Sequence, residues 1–179
     1  MIVTHYMDVI LREFKESDVP QKVEWINNPE NNQFLHYDLP LKVDRTIEWF
    51  RNRDTTRRLD CVIEYDGTPV GLIGLLQIDV VNQKAEYYIT IGECSFKQKG
   101  IATKATKAIL NYAFAELGLH KVYLNVDAKN ANAIRLYEKV GFKQEGHFVD
   151  ELFCSRTAEF IDRVRYSYIS VSTEELSTK

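Results

Sequence analysis

The chain predicts a mixed α/β fold, with a largely antiparallel central sheet and helices packed on both faces. Two patterns lead there. In the middle, three apolar runs follow one another with short connections: Leu59 to Tyr65, Pro69 to Asp79 and Ala85 to Ile91. The first connection is Asp66-Gly67, a dipeptide that accepts the positive φ of a two-residue hairpin, so the runs read as an antiparallel meander. Beyond Gly100 the spacing changes to apolar stripes of helical period set between strand-like runs, a β–α–β–α–β order. A chain of 179 residues with 45% apolar content can bury roughly 70% of its unfolded surface, so residues 1–179 are expected to form a single domain.

The remaining elements follow from local signals. Val9 to Phe14 is a first strand. Ser17 or Asp18 can cap a helix that carries Pro20 in its first turn and runs to about Ile26, where Asn27-Asn28-Pro29 ends it. From Asn27 to Leu41 the chain is polar and aromatic with no period, which reads as a loop. Val43 to Arg53 is a second helix, with Ile47 and Phe50 on one side. Leu110, Ala113, Phe114 and Leu117 stripe a helix from Ala102 to Leu117, and Gly118 fits just past its end. Lys121 to Val126 is the next strand. Ala133, Leu136, Tyr137 and Val140 then repeat as i, i+3, i+4, i+7 on a helix that Asn130 can cap and a left-handed Gly141 can end. Phe142 to Phe153 and Phe160 to Ile169 complete the sheet.

The net charge of -3 argues against a dedicated nucleic-acid binder, whose phosphate contacts require a basic face. No apolar run is long enough to span a bilayer, and Met1-Ile2-Val3-Thr4-His5-Tyr6 lacks the basic region and apolar stretch of a signal peptide. Cys61, Cys94 and Cys154 are few and widely spaced, which suits reduced thiols, and no Cys/His cluster has zinc-ligand spacing. These features predict a cytoplasmic protein that uses no metal and has neither a nucleic-acid nor a membrane partner.

One stretch carries chemistry: Lys97-Gln98-Lys99-Gly100-Ile101-Ala102-Thr103, between the strand Ala85 to Ile91 and the following helix. The first N–H groups of a helix have no internal partner, and the macrodipole adds partial positive charge there. Gly100 lets the backbone approach a ligand, Ala102 is too small to block it, and Lys97 and Lys99 add full charges. The loop suits a phosphate or pyrophosphate; composition alone would also allow a solvated basic turn, and the position at a helix start favours phosphate contact.

Two motifs make the chain resemble the GNAT superfamily of acyl-CoA-dependent N-acetyltransferases, from Val9 to about Ile169. One is the family's Gln/Arg-x-x-Gly-x-Gly/Ala loop, present as Lys97-Gln98-Lys99-Gly100-Ile101-Ala102. The other, more specific, is Asn-x-x-Ala-x-x-Leu-Tyr-Glu-Lys-x-Gly-Phe, present from Asn130 to Phe142. The chain departs from the family at Lys97, which can meet phosphate as a point charge but not as a bidentate fork. The resemblance implies that the fourth and fifth predicted strands, Glu86 to Ile91 and Lys121 to Val126, splay apart. It implies acetyl-CoA as co-substrate, its arm paired with the backbone of Ile89, Thr90 and Ile91 and contacted by Asn130. Its pyrophosphate would rest on Lys97, Gln98, Lys99, Gly100, Ile101, Ala102 and Thr103.

Acetyl transfer to an amine needs a neutral nucleophile and a stabilised leaving thiolate. On pattern alone Tyr137 belongs to the apolar stripe of its helix; the resemblance makes it the acid beside the thioester sulfur. Glu86 is the candidate base or amine-orienting group, or else a solvent-facing strand carboxylate. Glu30, His36 and Asp38 lie in the loop where the resembled fold builds its acceptor pocket. The segment Leu119 to Leu124, with Glu145-Gly146-His147, looks like the spermidine N-acetyltransferases, whereas Trp25 to Glu30 looks like the acetyltransferases of nucleotide-linked amino sugars. The expected activity is acetyl transfer to a primary amine of a small molecule, a polyamine or amino sugar, by a chain that can form homo-oligomers. Protein N-terminal acetylation and non-catalytic acyl-CoA binding are the alternatives.

Overall fold

The computed structural model describes residues 1–170; the predicted domain's last residues, 171–179, lie outside the described residues. Eight strands form one sheet: β1 (Ile2–Tyr6), β2 (Val9–Glu13), β3 (Leu59–Tyr65), β4 (Thr68–Asp79), β5 (Lys84–Ile91), β6 (Lys121–Asp127), β7 (Lys143–Cys154) and β8 (Glu159–Ile169). Their spatial order is β1-β2-β3-β4-β5-β6-β8-β7. Every neighbouring pair is antiparallel except β5 with β6. The helices are α1 (Val19–Asn27), α2 (Pro29–Asn32), α3 (Val43–Asn52), α4 (Ile101–Ala115) and α5 (Ala131–Val140).

Alternation along the strands divides the core between two faces. Leu11, Cys61, Ile63, Ile73, Leu75 and Tyr87 pack with Ile101, Ala105, Ala108, Ile109 and Ala113 of α4 and with Tyr137 of α5. Small residues on α4 let that helix lie close to the sheet. Val62 and Leu72 point to the other face, where they meet Phe14, Val19, Val23 and Trp25, with Ile47, Trp49 and Phe50 of α3 against them. The predicted placement of helices on both faces is therefore what the two core clusters show.

Three local expectations need correction. The strand Ile2–Tyr6 was not anticipated, because its hairpin turns through Met7 at φ 56, where no Gly or Asn announces it. The segment Asn27 to Leu41 is not wholly loop: Pro29–Asn32 forms one helical turn, with the Asn28 side chain accepting from the Glu30 N–H at 3.0 Å. A single turn is too short to show a period. Asp18 stands at the start of α1 without capping it; its carboxylate is held by the Arg12 guanidinium at 2.7 Å and the Lys15 N–H at 2.8 Å.

The splay expected between the fourth and fifth predicted strands lies between β5 and β6. Pairing runs from Lys84↔Lys121 to Glu86↔Tyr123 and stops. Beyond it, β5 stays with β4 as far as Ile91↔Gly71, and β6 stays with β8 as far as Asp127↔Arg163. Each strand keeps its antiparallel partner, the more stable pairing per residue, and sheet twist carries the two apart. A lateral row beside the fork matters below: Asp60 on β3, Gly74 on β4 and Tyr88 on β5 lie in register. A Cβ at Gly74 would run into the Leu59 carbonyl and the Tyr88 ring. Glycine there lets the Tyr88 hydroxyl reach Asp60 Oδ1 at 2.6 Å.

Candidate active site

The fork opens into a cleft of about 870 Å³. One wall is the free edge of β5, with Tyr87, Tyr88, Ile89, Thr90 and Ile91; the other is Leu124, Asn125, Val126 and Asp127 of β6. Its floor is the start of α4: Lys97, Gln98, Gly100, Ile101, Ala102 and Thr103 line it, and Lys99 does not, its ammonium lying 4.6 Å from the Phe96 ring centre instead. Asn130 and Tyr137 close the far side.

The two helix starts facing this cleft differ. At α5, Asn130 Oδ1 accepts the Ala133 N–H at 3.2 Å, so the helix is capped from within. At α4 the preceding residue is Gly100, left-handed at φ 76, and no side chain caps the first-turn amides. A Cβ on Gly100 would meet no protein atom within 4 Å, so the backbone conformation, not crowding, requires glycine. Uncapped amides at a fifteen-residue helix, beside a strand edge with unpaired backbone groups, fit a diphosphate attached to an amide-bearing arm. Lys97 is partly spent: its Nζ donates to Asn31 Oδ1 at 2.7 Å and to the Glu30 carbonyl at 3.1 Å, tying the loop to α2.

Tyr137 is 8% exposed, stands edge-on to Tyr87 at 6.0 Å between ring centres, and its hydroxyl has no hydrogen-bond partner among the described residues. Burial pushes its pKa up to about 12, with Arg163 pulling the other way. At neutral pH the phenol is therefore protonated and can donate. Complete transfer to a thiolate of ordinary pKa about 8.5 would be uphill, so its chemistry is a hydrogen bond to a sulfur gaining charge.

Glu86 sits at the last paired step below the fork and outside the cleft lining; its carboxylate accepts from Asn125 Nδ2 at 3.0 Å and Gln77 Nε2 at 3.3 Å. Glu30 and His36 line the cleft, whereas Asp38 lines an adjoining cavity. His36 Nε2 meets both oxygens of Asp127 at 2.9 Å, drawing the Asn27 to Leu41 segment against β6. Arg163 lies behind, with Nη2 on the Asn125 carbonyl at 2.6 Å and Nε 3.5 Å from Asp127. His147, considered from sequence as able to reach the cleft, pairs with Asp162 and lines neither cavity. Sequence reasoning passed over Asp127, Arg163 and Tyr88; partners distant in the chain, such as His36 and Asp127, leave no local signal. Lys22 was also passed over, although a lysine among Val19, Val23 and Ile26 on the buried stripe of α1 is a legible anomaly.

Residues 8–143 match the acetyltransferase (GNAT) domain family. The chain is 31% identical over 142 residues to the spermidine N(1)-acetyltransferase of Vibrio cholerae, covering 78% of this chain and 82% of that one. It is 42% identical over 92 residues to the spermidine N(1)-acetyltransferase of Escherichia coli, covering 51% of this chain and 49% of that one, so the match spans about half of that relative. The Vibrio cholerae spermidine N-acetyltransferase solved with CoA and spermine superposes with a TM-score of 0.82 at 28% identity, over 91% of this chain and 96% of that one. A dodecameric structure of the same enzyme gives 0.79 at 26% identity, over 97% and 99%. By the extent of the family match and by the 31% identity over 78% of its length, the chain belongs to the GNAT acetyltransferase family.

Proposed function

We propose that this chain moves an acetyl group from acetyl-CoA to a primary amine of a small molecule, a polyamine or an amino sugar. The observation that carries the reading is the fork between β5 and β6, which opens onto the uncapped start of α4 with Tyr137 in its wall. In this reading the free edge of Ile89, Thr90 and Ile91 and the side chain of Asn130 hold the cofactor arm. The amides of Gly100, Ile101, Ala102 and Thr103, with Lys97 and Gln98 beside them, hold its diphosphate, while Lys99, set against Phe96 outside the cleft lining, adds only its charge to the loop. Acetyl-CoA supplies an activated thioester acetyl group. Tyr137 donates to the sulfur as it leaves. Glu86, just below the fork, is the base that takes the ammonium proton through water, or the group that orients the amine by way of Asn125, whose Nδ2 donates to it at 3.0 Å. Glu30, His36 and Asp38 border the acceptor's approach.

The spermidine relatives support a small amine as acceptor, and the dodecameric neighbour supports a homo-oligomer. Cys61, Cys94 and Cys154 are free, which supports a cytoplasmic setting; among the described residues no helix is long and apolar enough to cross a membrane.

A thiol-release assay with acetyl-CoA across polyamines, amino sugars, nucleotide-linked amino sugars and peptides tests the reading. Release with at least one small amine is the expected outcome. Tight acetyl-CoA binding without release from any acceptor would make the chain a binding module. No calorimetric affinity for acetyl-CoA would end the reading.

A further inference from the structure

We propose that the cavity bounded by α1, α3 and the segment from Tyr37 to Lys42 is a subsite for an anionic group, phosphate or carboxylate, carried by the amine acceptor. The subsite presupposes the acetyl-transfer reading above and narrows its acceptor. The cavity measures about 630 Å³, within the range of small-molecule pockets, and it adjoins the cleft at Tyr37 and Leu76, which line both.

Its wall is cationic. Lys22, Lys42, Arg45 and Arg58 line it, against Asp38. Lys22 carries the inference furthest. It is 6% exposed on the buried face of α1, and its ammonium lies 3.8 Å from the Trp49 ring centre and 5.7 Å from that of Phe14. Among the described residues it makes no hydrogen bond or ion pair. The Trp49 and Phe14 rings compensate this buried ammonium only in part, so an anion entering the cavity would gain a charge-assisted contact there. The nearby carboxylate of Asp60 is already engaged: it accepts from Arg58 Nε at 2.7 Å and from the Tyr88 hydroxyl at 2.6 Å, and lies 3.6 Å from Arg53 Nε. Arg58 gives Asp60 its Nε, and among the described residues its two terminal nitrogens make no hydrogen bond, which leaves them for a ligand.

Two further features fit. The Trp49 ring centre lies 3.8 Å from the Lys22 ammonium and 4.8 Å from the Arg58 guanidinium, so one indole in the cavity wall holds both cations beside the space an anion would enter. The row Asp60–Gly74–Tyr88 ties the cationic cluster to β5, and the two spaces meet at Tyr37 and Leu76, where an amine in the cleft can carry its anion toward the cavity. A polycation laid along the same path would set its ammonium groups against Lys22, Lys42, Arg45 and Arg58 with Asp38 as the facing carboxylate.

Thiol release from acetyl-CoA with paired acceptors decides the matter: a hexosamine and its phosphate ester, a nucleotide-linked amino sugar, an amino acid, and spermidine. The phosphate-bearing hexosamine is expected to exceed its phosphate-free twin in kcat/KM by at least about tenfold, the gain of a charge-assisted contact. Lys22→Met is expected to raise its KM until the two amines behave alike. The nucleotide-linked sugar and the amino acid distinguish a diphosphate and a carboxylate from a phosphomonoester. Because Lys22 is buried, the exposed rim pair Lys42→Glu with Arg45→Glu serves as second variant, expected to shrink the same preference. Spermidine leading the panel, with its KM unchanged or lowered by Lys22→Met, would overturn the subsite and leave acetyl transfer standing. If no amine releases thiol, acetyl transfer itself fails; calorimetry of the hexosamine phosphate on CoA-saturated protein then judges the subsite. Binding that disappears in Lys22→Met supports it, and no binding to the unaltered chain overturns it.

Discussion

The cleft and the cavity beside it share Tyr37 and Leu76 but offer ligands different parts of the polypeptide. The cleft offers backbone: the free edge of β5 and the uncapped amides of α4. The cavity offers side chains: Lys22, Arg58, Trp49 and their neighbours. Backbone donors are the same whatever residue carries them, so a site made of them depends on conformation and tolerates side-chain change, as at Lys97. A site made of side chains changes its ligand when they change. One fold can therefore keep its cofactor while its acceptor varies.

The largest effect expected from this contrast is at Gly100, where conformation and space are joined. Gly100→Glu forces a side chain into a left-handed position and puts a carboxylate where the diphosphate would rest. Acetyl-CoA affinity should fall by about 100-fold or more in calorimetry, from backbone strain of ~1–2 kcal/mol plus like-charge repulsion. Folding should survive, since a Cβ there meets no protein atom within 4 Å. Undiminished affinity would mean that the start of α4 does not hold the cofactor. Next is Tyr137→Phe, which keeps the packing on Tyr87 and removes only the hydroxyl. Turnover should drop roughly 100-fold with little change in acetyl-CoA affinity, the usual cost of one positioned donor. With its pKa raised to about 12, Tyr137 should contribute no basic limb to the pH–rate profile below that range, and a limb near pH 9 that vanishes in the variant would refute the role.

The same contrast explains what the sequence made legible. The β3–β4 hairpin is announced by Asp66-Gly67, whose φ values of 51 and 72 are those such a turn needs. The start of α4 is announced by Gly100 and the change of period after it. Both are local. The cavity draws on Lys22, the segment around Tyr37, α3, Arg58 and Leu76, stretches that only tertiary packing brings together. In sequence Asp38 stands as an acceptor-side acid, and nothing next to it in the chain signals the cations Lys22, Lys42, Arg45 and Arg58 that the fold sets around it. The one clue that was present is Lys22 itself, a charge on an apolar helical stripe.

Lys22 also tests the contrast through stability. Desolvation lowers its pKa to about 8 in the folded chain, against ~10.4 for an unperturbed lysine in the unfolded chain. Between these values the unfolded state binds more protons, so stability rises with pH across that window, and below about 8 the full penalty is present. Lys22→Met should therefore stabilise the protein at pH 7 by about 2–3 kcal/mol, and by much less near pH 10. Urea unfolding at both pH values measures this. An equal effect at the two would show that the ammonium is solvated and the cavity is not a prepared anion site.

The smallest effect should come from Lys97→Ala, the sharpest check on whether the cleft works through backbone. Lys97 already donates to Asn31 Oδ1 and the Glu30 carbonyl, so its charge reaches a diphosphate only by leaving those partners or across solvent. A contact of that kind is worth up to ~1 kcal/mol, so the acetyl-CoA Kd should rise by no more than about fivefold, and less at high salt. A loss approaching that of Gly100→Glu would mean that the lysine, not the row of amides, carries the diphosphate. The cleft would then be a side-chain site like its neighbour, and the division between a cofactor held by backbone and an acceptor held by side chains would have no structural basis in this chain.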